Sequence, residues 1–148
     1  MRRALLIGAA LGLGAIAVAA GLVLRGAKAP RPEPSANAIT VPSGQQVTFH
    51  DFIWGEPGPS GLAIRFRFIA PAISRQDGEA DFSALEADML HLCETYALPR
   101  ISNTGPQPSQ VIISLSDRPV DFGEADPDAT QFFEGYRPKD GTCIWEWF

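Results

Sequence analysis

The feature that most limits this chain is an uncharged apolar run at residues 4–24, ALLIGAALGLGAIAVAAGLVL, bracketed by Arg2-Arg3 and Arg25. Rising about 1.5 Å per residue, such a run makes a helix of about 31 Å, which matches the hydrocarbon core of a bilayer. A basic start before an apolar run also opens a secretory signal peptide, whose apolar part runs about 7–15 residues. This run is longer, and its small-residue cleavage patterns are badly placed. Ala17-Val18-Ala19 lies inside the run, and Ala36-Asn37-Ala38 lies far beyond it. The reading is an uncleaved inner-membrane anchor, with a cleaved signal and a free periplasmic domain as the alternative.

Charge divides at nearly the same place. Residues 1–37 carry a net charge of +4, and residues 38–148 carry −9. All 14 aromatic residues lie in the second part. The stretch 25–37, RGAKAPRPEPSAN, has no large apolar residue and cannot build a core, so it reads as an extended tether. The expected organisation is leader 1–24, tether 25–37 and one domain 38–148. A domain of this size and sign excludes a multidomain enzyme, a polytopic membrane protein and a nucleic-acid binder working through a basic surface.

Within the domain, VTFHDFIW at 47–54 alternates with a slip in the middle. A bulge at His50-Asp51 would bring Val47, Phe49, Phe52 and Trp54 to one core-facing side. After the turn GEPGPSG, residues 63–70 alternate cleanly, with Ile64, Phe66 and Phe68 inward and Arg65 and Arg67 outward. Ser83 opens a capping-box pattern with Glu86, and Leu85, Met89, Leu92 and Tyr96 form a helical stripe ended by Leu98-Pro99. Gln110–Leu115 reads as a central strand. QFFEGYR and TCIWEW flank Pro138-Lys139-Asp140-Gly141 and read as a hairpin, in preference to a short helix capped by Asp126. The expected fold is α+β: a small antiparallel sheet of four or five strands in the order ββ-α-βββ, with one helix packed across it.

Two cysteines, Cys93 on the helix and Cys143 in the last strand, favour a disulfide in an exported domain, against two buried free thiols. Candidate chemistry is sparse. His91 and Cys93 are about 200° apart around a helix and cannot share a zinc ion. His91 and Glu94 suit a surface hydrogen bond. The acids Asp117, Asp121, Glu124, Asp126 and Asp128 miss the EF-hand pattern, because Ala129 and Gly135 fall where Gly and Glu are needed. They read as a solvated loop. Ser60 lacks the strand–helix elbow of a hydrolase nucleophile. No cofactor or metal is expected. His50, Asp51, Arg65 and Arg67 remain as a candidate binding surface. The terminal IWEWF is read as core or as an aromatic edge for a partner.

The stretches SLSDRPVDFG, DATQFFEGYR and CIWEWF resemble a small alphaproteobacterial, Rhodobacter-type family of short exported or anchored proteins of unknown function. The resemblance covers about residues 40–148 and implies no mechanism. An acetolactate synthase label attached to such proteins finds no support here. That enzyme needs a far longer chain and an acidic motif for thiamine diphosphate, and Asp77-Gly78 and Asp140-Gly141 sit in turn-like contexts. The expectation is a non-catalytic module that binds an envelope protein, with its oligomeric state open. The alternatives are a small exported hydrolase or ligand-binding domain using His50 and Asp51, and a structural spacer.

Overall fold

A computed structural model describes residues 37–58, 60–75 and 80–146, all in the unit Glu33–Phe148. The expected anchor, residues 25–36 of the tether, Asp77-Gly78, Trp147 and Phe148 lie outside the described residues. Among those described, no helix is long and apolar enough to cross a membrane.

The described residues form a six-stranded sheet whose spatial order follows the chain: β1 Ala38–Ile39, β2 Val47–Gly58, β3 Gly61–Ile69, β4 Gln110–Ser116, β5 Gln131–Lys139 and β6 Thr142–Glu146. Between β3 and β4 lies α1 (Phe82–Leu92), continued by a π turn at Cys93–Ala97 and a 3-10 turn at Leu98–Arg100. The fold is α+β, with two corrections to the sequence reading. The sheet is mixed, not antiparallel, because β3 and β4 run parallel from Ala63↔Gln110 to Ile69↔Ser116. The cause is α1, which carries the chain back to the end where β3 began, so the next strand must run the same way. There are also six strands, because Ala38–Ile39 adds a two-residue strand to β2. Two residues are too few to leave an alternating signal.

The slip in VTFHDFIW is a bulge, as the sequence required: the β2–β3 register shifts between Phe49 and Asp51, leaving His50 as the extra residue. Phe49, Phe52 and Trp54 then oppose Phe68, Phe66 and Ile64 and share their face. The expectation that all four bulge neighbours enter the core is corrected, however. Val47 is fully buried, but Phe52 and Trp54 are 56% and 46% exposed. The face is right and its cover is short. The ring of Tyr96, just past α1, packs 5.3 Å from both Phe49 and Phe68, and the sheet beyond Phe49 is left open.

Leu85, Met89 and Leu92 form the buried stripe of α1 and pack on Ile64, Phe66, Phe68, Val111, Ile113 and Leu115 in one core. The helix starts earlier than the capping box predicts. Asp81 is the N-cap, and its carboxylate accepts from the N–H groups of Ser83 and Ala84. Every residue of β4 is buried, as befits a strand with neighbours on both sides. The hairpin reading of the last third holds. Asp140 and Gly141 both have positive φ, 51° and 80°, and Lys139 pairs with Thr142 across a two-residue turn. Pro138 lies inside β5, past the last β4 partner at Tyr136, so its missing N–H costs no sheet bond. Cys93 and Cys143 form a disulfide with Cα atoms 6.3 Å apart, joining the π turn to β6.

Candidate functional site

Cross-strand register builds the site on the sheet face opposite α1. One row runs Asp51, Arg67, Ser114, Phe133, and the next runs Ile53, Arg65, Ile112, Gly135. The sheet curls toward this face, since the Ser60 hydroxyl in the β2–β3 turn lies 3.5 Å from the Glu146 carboxylate of β6. Ser60 therefore sits in a hairpin turn. The segment linking β4 to β5 folds back over the same face, which is how Val120 and Phe122 reach it.

All four candidate residues arrive together. His50, displaced by the bulge, lies 3.7 Å from Asp51 through Nε2. Asp51 accepts a hydrogen bond from Arg67 Nη1 at 3.0 Å, and Arg67 Nη2 donates to the carbonyl of Val120. Arg67 is thus a brace that ties the β4–β5 loop to the sheet, and its charge is matched by Asp51. Arg65 is different. Its guanidinium lies 5.6 Å from the ring centre of Phe133 and 5.9 Å from that of Phe122, and it makes no hydrogen bond or ion pair with the described residues. Burial first, and then the nearby Arg67, push Arg65 below its ordinary pKa, with Glu56 pulling the other way. Phe122 and Phe133 stay 46% and 56% exposed. The result is a cation with no hydrogen-bonded acceptor among the described residues, held between two partly exposed rings.

The loop that carries Phe122 is fastened by residues the sequence did not single out for that role. Arg75 donates its N–H to the Thr130 hydroxyl and its guanidinium to the carbonyls of Pro127 and Ala129. Asp117, read earlier as one of five solvated acids, has a buried carboxylate paired to Arg118 at 3.0 Å. Burial alone would raise its pKa. The Arg118 hydrogen bond, the Thr130 backbone, the Arg118 charge and the Ser74 hydroxyl outweigh that and hold it below the ordinary carboxylate value. Among the described residues no group of three or more His, Cys, Asp or Glu could hold a metal ion. The His91–Glu94 pair is also corrected. Glu94 instead accepts from the backbone N–H of Cys143 at 3.3 Å, covering an outward group of β6.

Asp117 gives a pH prediction. A carboxyl whose folded pKa is depressed adds stability that is present above its unfolded value near ~3.9 and lost as pH falls through the folded value. Asp117→Asn is therefore expected to lower stability at pH 7 by about 1–3 kcal/mol. The gap to the parent should close in urea melts run below about pH 3. A constant gap across that range would exclude this source of stability.

Of the terminal IWEWF, the described Ile144 and Trp145 do not enter the core: both are substantially exposed on β6, at one end of the strand order. Asp88 is the other position the sequence reading missed. It is fully buried on α1 and accepts from the Ser43 N–H (2.8 Å), the Ser43 hydroxyl (2.5 Å) and the Gln45 amide (2.6 Å). The available signal was its position three residues after Leu85, inside the apolar stripe.

No curated protein and no solved structure matches the chain. A family model does match, over residues 19–148, described as a family of unknown function, DUF6497, and the chain belongs to that family.

Proposed function

We propose that this chain is a non-catalytic interaction module of the bacterial envelope. In this reading residues 4–24 anchor it in the inner membrane, residues 25–37 are a tether, and the domain binds another envelope protein in the periplasm. The Cys93–Cys143 disulfide supports an oxidising compartment. One observation carries the interaction reading: Arg65, with no hydrogen-bonded acceptor among the described residues, held between the exposed rings of Phe122 and Phe133. An arginine flanked by aromatics is the residue set that concentrates binding energy at protein interfaces, and its guanidinium fits a partner carboxylate. The reading of His50 and Asp51 as a hydrolase site has less support, because Asp51 is neutralised by Arg67.

The test is affinity capture from detergent-solubilised native membranes with the full chain as bait. A specific partner is expected with the parent and is expected to be lost with Arg65→Glu and weakened by Phe133→Ala. Each truncation at such a centre costs about 2 kcal/mol, roughly thirtyfold in affinity. No partner above background, or equal recovery by Arg65→Glu bait, would count against the proposal.

A further inference from the structure

A second surface lies on the opposite face, between α1 and the β5–β6 hairpin. It is an open trough of about 540 Å3, within the size range of ligand sites. Glu86, Ala87 and Leu90 line it from α1, and Glu134, Tyr136 and Trp145 line it from the sheet. Leu90 and Trp145 leave large apolar surfaces uncovered there, while Tyr136 is 1% exposed and closes the floor.

Among the described residues, the charged groups lining the trough, Glu86 and Glu134, are both acidic. Tyr136 donates its hydroxyl proton to Glu134 Oε2 at 2.7 Å, and no lysine or arginine among the described residues lines the walls. Burial first, then the Glu134 hydrogen bond, then the charges of Glu134, Glu86 and Glu94 push the Tyr136 phenol far above its ordinary value. The carboxylates thus place negative potential over an apolar floor.

We propose that this trough docks an extended peptide segment of a partner protein that carries a lysine or arginine beside an apolar side chain. Charge complementarity selects the occupant. Glu86 and Glu134 line the trough with Trp145, and carboxylates beside an indole are groups that attract a cation. The apolar neighbour covers Leu90. The domain's net charge of −9 steers cationic segments toward it and repels acidic ones.

This inference does not depend on Arg65. The probe is a fluorescein-labelled, acetylated hexapeptide of alternating lysine and leucine, titrated against the full chain in detergent and read by fluorescence anisotropy, with binding to empty micelles subtracted. Saturable binding is expected, weakening about tenfold in the Glu86→Gln/Glu134→Gln double variant and in Trp145→Ala. Arg65→Glu should bind like the parent, which separates this site from the surface around Phe133. A matched glutamate–leucine peptide should not bind. Undiminished binding by the double variant, or no saturable binding by the parent, overturns the proposal. So does competition by lysine methyl ester as strong as by the peptide, which would make the trough a small-cation site.

Discussion

Replacing Cys93 and Cys143 together by serine is expected to lower the free energy of unfolding by about 4 kcal/mol, within the usual range of about 2–5 for a native disulfide in a small domain. The pair closes a loop spanning 50 residues, so the cross-link removes much conformational freedom from the unfolded chain. Its place in the fold adds to this. β6 is five residues long and, among the described residues, pairs only with β5, and the disulfide fixes it to the turn after α1. Total stability in domains of this kind is about 5–15 kcal/mol, so the variant should be close to unfolding at physiological temperature. The check is guanidinium melts of parent and variant with and without reductant. Reductant should shift only the parent, toward the variant's midpoint. Coincident curves would mean that the cross-link adds nothing.

Asp88→Ala is expected to cost about 3 kcal/mol. The fully buried carboxylate collects three donors from the β1–β2 segment, and truncation removes all three bonds and the charge-assisted tie between that segment and α1. Asp88→Asn should cost less, since one oxygen is kept and only one donor then faces an amide. Hydrogen exchange provides the readout: protection of the Ser43 N–H should fall in both variants, and more in the alanine one. Equal stability of the alanine variant and the parent would show that Ser43 and Gln45 find other partners.

The bulge at His50 was legible, because a slip in alternation between Phe49 and Phe52 has few backbone solutions. β4 was legible as central, because Val111-Ile112-Ile113 puts apolar groups on both faces. The α1 stripe and the hairpin turn at Asp140-Gly141 followed from periodicity and turn chemistry. The parallel pairing of β3 with β4 was not legible, since alternation fixes which face a residue takes and says nothing about its neighbour's direction. Exposure of Phe52 and Trp54 was hidden for a related reason. A pattern of apolar residues names a face, and only the length of α1 and its following turns decides how much of that face is covered. At the candidate site, Arg65 and Arg67 looked equivalent as outward neighbours. Both guanidinium groups lie 5.9 Å from the Phe122 ring centre, and their difference arises from other residues distant in sequence, Val120 and Asp51 for Arg67 and Phe133 for Arg65.

The parallel step between β3 and β4 has a kinetic consequence. β2–β3, β4–β5 and β5–β6 pair across shorter connections, so each can form early without a large search. Ala63 and Gln110 must meet across the whole α1 crossover before the two halves of the sheet become one, and closing so long a loop is the entropically expensive event. Before that pairing, the edges of β3 and β4 that face each other in the finished sheet have no strand partner. Oxidation of Cys93 with Cys143 in that interval joins α1 to the second half first and shortens the remaining search. The timing of thiol oxidation is thus a means of setting how fast this domain assembles.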